Sequence, residues 1–178
     1  MLPMTDISPK FRWNAYDATV AENIIRLEGT PEAINYFSGV CEKLTNYAYW
    51  FFLSTLWVNY SGHSDINLWK RLFSSNRIQR LRSIMKPSEL TAYDRLPYFL
   101  TAYRAHRPWE TEWISYTLNI NIACCFARER GVNQVSQYAI KKRDISALFL
   151  RRAEEEILVL DKGKARHVRD IEIVLGAG

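Results

Sequence analysis

Apolar residues recur at helical spacing in the first half of the chain and fall into short alternating runs in the second half. Thr30-Pro31-Glu32 is a helix start signal, and the apolar positions after it predict a helix that continues through an aromatic stretch to Ser61-Gly62. Shorter helices are predicted from Ser64 or Asp65, over Arg77 to Met85 and from Ser88. The first half is therefore expected to be helical.

Beyond Pro97, short runs of β-prone residues alternate with polar turns, which predicts strands. The predicted strands are Tyr98 to Arg104, Trp113 to Leu118, Val135 to Ile140, Ile157 to Leu160 and Val168 to Val174. The segment from Asp144 to Phe149 is predicted as a turn or a short helix. Helices first and strands later indicate the α+β class. We expect a helical region, residues 1–97, and a β-rich core, residues 98–178, packed as one compact unit.

One helix is predicted inside the β-rich half. Asn119 is suited to cap its start, and Gly131 is suited to the left-handed conformation that ends a helix. The helical period places Ile122, Cys125 and Phe126 on its inward face.

Composition narrows the class of protein without naming its chemistry. The 178 residues are 48% hydrophobic, enough for a core, and the net charge of +5 favours acidic partners only mildly. The three cysteines form no CxxC or Cys/His cluster, so no metal site is expected. The first residues lack the apolar core of a signal peptide, and the aromatic stretch from Tyr47 to Tyr60 is too short to span a bilayer. A cytoplasmic protein without membrane contact is predicted.

Three polar motifs follow one another in the β-rich half: Tyr103-Arg104-Ala105-His106 at the end of a strand, Ser115-Tyr116-Thr117 in the next, and Glu154-Glu155-Glu156 entering a later one. Over residues 100–174 this order resembles the bacterial and phage ADP-ribosyltransferase superfamily, in the branch named for its Arg, Ser and Glu motifs. The resemblance implies a split β-sheet core that takes NAD as co-substrate, with no metal.

The resemblance implies catalytic roles for Glu156, Glu154 and Ser115. Cleavage of the nicotinamide glycosidic bond passes through a ribosyl oxocarbenium ion, and the carboxylate of Glu156 would stabilise the positive charge that develops there. Ser115 would orient Glu156 by a hydroxyl hydrogen bond. If the segment is extended, Glu154 shares the face of Glu156, and the resemblance implies that it deprotonates an arginine acceptor.

Four residues are candidates for binding the cofactor. Arg104 presents a planar fork that can hold a pyrophosphate, and Thr117 lies on the strand face of Ser115 and could support it. The other major branch of the superfamily uses a histidine on the first strand followed by a tyrosine, so His106 and Tyr116 remain alternatives for contacting the nucleotide.

The first functional hypothesis is a mono-ADP-ribosyltransferase that modifies a macromolecule, a protein arginine before a nucleic acid, in a phage or toxin setting. The N-terminal helices would then form a lid or select the target. The second hypothesis is a catalytically silent binding or inhibitor protein on the same fold, which docks a partner through the aromatic helix around Trp50 to Trp57. A third uses the basic residues of Arg77 to Lys86 for nucleic acid, although a solvated helix face explains them more simply.

Overall fold

The computed structural model describes residues 6–60 and 62–174. The chain divides into two compact units between Thr91 and Ala92, a few residues before the predicted boundary. Tyr93 belongs with the second unit, where its hydroxyl donates to the carbonyl of Ile145 at 3.4 Å. Within the described ranges, no helix is long and apolar enough to cross a membrane. The chain has the mixed α+β class that the sequence predicted.

The first unit is built from helices. They are α1 (Ala15–Leu27), α2 (Glu32–Val40), α3 (Asn46–Asn59), α4 (Ile66–Phe73), α5 (Arg80–Ile84) and α6 (Pro87–Asp94), the last of which crosses the division. The single long helix expected after Pro31 is wrong, because a 3-10 turn at Cys41–Lys43 separates α2 from α3. Thr45 caps α3, and the carboxylate of Asp17 accepts both its backbone N–H, at 3.0 Å, and its hydroxyl, at 2.5 Å.

The aromatic helix α3 lies inside the first unit. Trp50 has no exposed surface, and its indole N–H donates to the carbonyl of Ile78 at 3.1 Å. Tyr49 is 4% exposed and donates its hydroxyl to the carbonyl of Leu72 at 2.7 Å. Tyr49 and Trp50 therefore belong to the core of the unit, whereas Phe51, Phe52 and Trp57 of the same helix are half-buried.

Arg77 is also occupied by the first unit's own backbone. Its guanidinium donates to the carbonyls of Cys41 at 2.9 Å, Glu42 at 2.5 Å and Leu44 at 2.7 Å. The helix predicted from Arg77 begins later, at Arg80, after a left-handed residue at position 79. Arg77 thus satisfies carbonyls at the end of a helical segment and is not free to meet a phosphate.

The second unit is built around a six-stranded antiparallel sheet in the order β4-β5-β2-β1-β3-β6. Its strands are β1 (Phe99–Arg104), β2 (Ser115–Thr117), β3 (Gln134–Lys141), β4 (Ala147–Phe149), β5 (Glu156–Leu158) and β6 (Arg166–Glu172). β1 and β2 pair through the single register position Tyr103–Thr117. Two three-stranded halves, β4-β5-β2 and β1-β3-β6, are therefore joined at one point.

The strand β4 corrects the turn or helix expected between Asp144 and Phe149. A 3-10 turn ends at Asp144, and Ala147–Phe149 then pairs with β5, with all three of its residues buried. Such a short apolar run has no period of its own, so its pairing partner determines its conformation.

The helix α7 (Ile120–Arg130) confirms both predicted caps and changes the predicted inward face. The Asn119 side chain accepts from the backbone at its start, and Gly131 ends it with φ 66°. Cys125 is exposed, whereas Ala123 and Ala127 are fully buried against the sheet. The face with the smallest side chains packs inward, which brings the helix backbone close to the strands.

Candidate functional site

The three motif segments lie on neighbouring strands of the sheet. Arg104 ends β1, Ser115 begins β2 and Glu156 begins β5, and β2 lies between the other two strands. These residues therefore meet where the two halves of the sheet are joined. The order of motifs along the sequence becomes proximity in space because β2 pairs with both neighbours.

Ser115 and Glu156 form a direct hydrogen bond. Glu156 pairs with Thr117, and Ser115 lies two residues from Thr117 on the same strand, so both side chains project from one face. The Ser115 hydroxyl donates to Oε1 of Glu156 at 2.5 Å, which is the contact that the sequence predicted. Both residues are half-buried, and the hydrogen bond orients the carboxylate.

Arg104 reaches the same place through the backbone. Its Nη1 donates to the carbonyl oxygen of Ser115 at 2.7 Å. On its other side, Nε donates to Oε2 of Glu110 at 3.1 Å, and Nη2 donates to Oε1 of the same carboxylate. Three of the five guanidinium N–H groups are thus engaged by the protein. Glu110 therefore already occupies the Nε and Nη2 groups of the guanidinium that was expected to bind a pyrophosphate.

Glu110 is the residue that sequence reasoning missed. Its side chain is 8% exposed, and it accepts from Arg104 and from Nδ1 of His106, the latter at 2.9 Å. Burial alone raises the pKa of this carboxyl, but hydrogen bonds from His106 and Arg104, with the charges of both, outweigh burial and lower it to about 2. The only available sequence signal was the spacing of four residues from His106, in a loop without periodicity.

His106 is held between two partners. An ionised carboxylate only accepts, so Nδ1 carries the proton that is donated to Glu110, and the hydroxyl of Tyr138 lies 2.6 Å from Nε2. In the neutral ring, Nε2 accepts from that hydroxyl. The ring also meets Trp113 edge to face at 4.3 Å between centroids. His106 therefore belongs to the support of Glu110 and Arg104.

Tyr116 and Thr117 are placed differently from their predicted role in binding the nucleotide. Tyr116 is 2% exposed, and its hydroxyl accepts the indole N–H of Trp113 at 2.9 Å. Burial raises the pKa of this phenol to about 12. Thr117 is 4% exposed and donates to the carbonyl of Glu154 at 2.6 Å. Both side chains are buried, and the hydroxyl of each is bonded to a neighbouring protein group.

The turn that leads into Glu156 has an unusual backbone. Ala153 and Glu155 have φ angles of 55° and 47°, values that cost energy for residues with a Cβ. Besides the bond from Thr117 to the carbonyl of Glu154, two further bonds hold the turn to the end of β2. The Leu118 N–H donates to the carbonyl of Glu155 at 3.0 Å, and Nδ2 of Asn119 donates to Oε1 of Glu155 at 3.0 Å. The segment ahead of Glu156 is a bonded turn and not a strand.

Glu154 therefore does not share the face of Glu156 by strand alternation, since β5 begins only at Glu156 and the residue between them is left-handed. Its carboxylate pairs with Nε of Arg152 at 3.2 Å, and its side chain is 22% exposed. The condition on which the shared face depended is not met. Glu154 lies beside an arginine side chain at the entrance to the strand.

Comparison with protein families, curated proteins and solved structures found no match to this chain. Across residues 6–60 and 62–174, no group of three or more His, Cys, Asp or Glu side chains could hold a metal ion. The functional proposal consequently rests on the geometry of Arg104, Ser115 and Glu156 and on the chemistry that these groups perform.

Proposed function

We propose that this protein is a mono-ADP-ribosyltransferase that transfers ADP-ribose from NAD to a macromolecular target, with Glu156 at the reaction centre. The observation that carries the proposal is the 2.5 Å hydrogen bond from Ser115 to Glu156, at the point where β1 and β2 join the two halves of the sheet. Arg104, at the end of the neighbouring strand β1, donates to the backbone carbonyl of Ser115. This arrangement supports a split-sheet ADP-ribosyltransferase core.

The chemistry requires a carboxylate placed beside the ribose. The bond between C1′ and the nicotinamide nitrogen breaks, and its electron pair leaves with neutral nicotinamide, so positive charge develops on the ribose. Glu156 would accept a hydrogen bond from a ribose hydroxyl and stabilise that charge more in the transition state than in the ground state. A nucleophile of the target then forms the new bond to C1′ with its lone pair and gives its proton to a base.

Glu154 is the candidate base, and it favours a protein arginine as the acceptor. Its carboxylate already binds one guanidinium, that of Arg152, whose side chain is 43% exposed. An arginine of the target would present the same planar group to the same carboxylate. Modification of nucleic acid is the alternative acceptor.

A catalytically silent relative of this fold is the second candidate function. The observation that favours it is the Glu110 carboxylate in the fork of Arg104, where the sequence had predicted a phosphate. Within the aromatic helix, Tyr49 and Trp50 are buried, so a partner of this candidate would contact the half-buried rings of Phe51, Phe52 and Trp57.

The direct test incubates the protein with NAD labelled in the adenosine half and with cell lysate, and measures nicotinamide release and label transfer. The wild type is expected to release nicotinamide and to transfer the label. Glu156→Gln is expected to lower both rates by ~100-fold or more, because an electrostatic stabiliser of the transition state is removed. Mass spectrometry of the labelled product then distinguishes arginine from nucleic acid.

Glu172→Gln is the matched control, since it makes the same chemical change at an exposed position on β6 and is expected to behave as wild type. If the wild type releases no nicotinamide, labels nothing and shows no NAD binding by calorimetry, the enzymatic proposal is wrong. The silent alternative would then stand.

A further inference from the structure

We propose that Glu110 is a positioning residue of the NAD site, which locks the guanidinium of Arg104 and stays in place when the dinucleotide binds. This inference rests on the proposed function and adds a residue to it. The carboxylate occupies the Nε and Nη2 side of the guanidinium, the edge best suited to a bidentate oxyanion. A phosphate of NAD therefore has to use the remaining N–H groups of Arg104.

Exchange of Glu110 for a phosphate is unfavourable. The Glu110 side chain is 8% exposed. If a phosphate displaced it from the guanidinium of Arg104, the buried carboxylate would keep His106 as its main partner. A buried charge that loses its partner costs far more than an exposed one. Arg107, whose Nη1 lies 3.9 Å from Oε1 of Glu110, is 38% exposed and cannot replace the lost bidentate contact at that distance.

The loop that carries Glu110 is itself braced. His106 is fixed on its other nitrogen by Tyr138 and packs against Trp113. Lys162 bonds to the carboxylate of Glu112 at 2.8 Å and lies 4.9 Å from the centre of the Trp113 ring. These contacts hold the loop on both sides of Glu110, so the carboxylate is preorganised. The carboxylate in turn fixes the position of the Arg104 guanidinium.

Fixing Arg104 also fixes the reaction centre. The Nη1 group of Arg104 holds the carbonyl of Ser115, and the Ser115 hydroxyl holds Glu156. A chain of three hydrogen-bonded links therefore runs from Glu110 to the proposed catalytic carboxylate. Loss of Glu110 is expected to loosen both the binding of the phosphate and the orientation of Glu156.

The test compares Glu110→Gln with Glu172→Gln, the same change at an exposed position on β6. Nicotinamide release gives kcat and KM, and calorimetry gives the Kd for NAD. A glutamine offers one acceptor oxygen and an NH2 group that repels Arg104, so Glu110→Gln is expected to raise KM and Kd by about tenfold and to lower kcat, whereas Glu172→Gln is expected to behave as wild type. A merely structural role would reduce the folded fraction and the apparent kcat and leave KM and Kd unchanged.

His106→Gln provides a second variant in case Glu110→Gln does not fold. It loosens Glu110 without removing its charge, and we expect a smaller rise in KM. Unchanged or tighter NAD binding in both variants would overturn the inference, since tighter binding means that Glu110 obstructs the phosphate. With an active wild type that result leaves the proposed function standing, whereas a wild type that neither binds nor cleaves NAD overturns both.

Discussion

Two arginines, one in each unit, show how differently the same side chain is used. Arg77 in the helical unit donates to three backbone carbonyls and lies 4.6 Å over the ring of Tyr49. Arg104 in the sheet unit shares its donors between the Glu110 carboxylate and one carbonyl. Arg77 binds only uncharged partners, whereas Arg104 binds a titratable carboxylate. The difference lies in the partner, and a charged partner makes a site sensitive to pH and to ligands.

The largest expected effect comes from removing Arg104. Arg104→Ala leaves Glu110 buried with only His106 as its close partner, and this is expected to cost roughly 3–5 kcal/mol of the free energy of unfolding. In a Glu110→Gln background the same substitution should cost about 1–2 kcal/mol, because no buried charge is stranded. Urea unfolding of the four proteins measures the coupling. Equal losses in both backgrounds would contradict the charge pairing described here.

The second largest expected effect is the pH dependence of the stability that the Glu110 partner of Arg104 contributes. The pKa of Glu110 is lowered from 4.5 to about 2 in the folded protein, so its stabilising contribution is complete above pH 4.5 and is lost as the pH falls towards 2. The contribution is on the order of 3 kcal/mol. The stability difference between wild type and Glu110→Gln should therefore narrow over this range, as followed by thermal unfolding at a series of pH values. A constant difference would mean that Glu110 is not held ionised.

Arg77→Ala should cost about 2–3 kcal/mol, because several charge-assisted hydrogen bonds to carbonyls are lost. Its three carbonyl partners belong to the backbone and do not titrate, so the loss should be the same at pH 3 and pH 7, unlike that of Glu110→Gln. Arg77→Lys should recover little, since one ammonium group cannot span three carbonyls. Urea unfolding at both pH values checks this, and a loss that depends on pH would weaken the contrast between the two regions.

The smallest expected effect concerns the turn before Glu156. Ala153→Gly removes a Cβ from a residue with φ 55° and is expected to raise the free energy of unfolding by about 1 kcal/mol. The same substitution at Ala18, inside α1, should lower it by a similar amount, because glycine disfavours a helix. Thermal unfolding of the two variants compares the signs. A loss at both positions would show that the turn is not strained.

Local signals made much of the second unit predictable. Asn119 and Gly131 delimit α7 by capping chemistry that involves only neighbouring residues, and both were predicted correctly. The contact between Ser115 and Glu156 was implied by the family resemblance and not by a local signal, and it forms because β2 and β5 are paired. The break between α2 and α3 carried a local signal too, in Thr45, but the apolar positions on either side concealed it.

Other features depend on packing that no local pattern encodes. Glu110 reaches Arg104 only because the segment between β1 and β2 folds back on itself. The inward face of α7 is centred on Ala123 and Ala127, because the helix approaches the sheet closely; the predicted Phe126 packs against this cluster, whereas Cys125 is exposed. Tyr116 is a candidate ligand by its residue type, yet β2 is covered on both faces at this point, so Tyr116 and Thr117 are both buried.

The claim that Ser115 acts through Glu156 is tested most directly by nicotinamide release from NAD in purified wild type, Ser115→Ala, Glu156→Gln and the double variant. We expect a loss of about tenfold for Ser115→Ala, ~100-fold or more for Glu156→Gln, and no further loss in the double variant, because a residue that acts through another adds nothing once its partner is gone. Multiplied losses in the double variant, or a wild type no faster than buffer, would contradict this account.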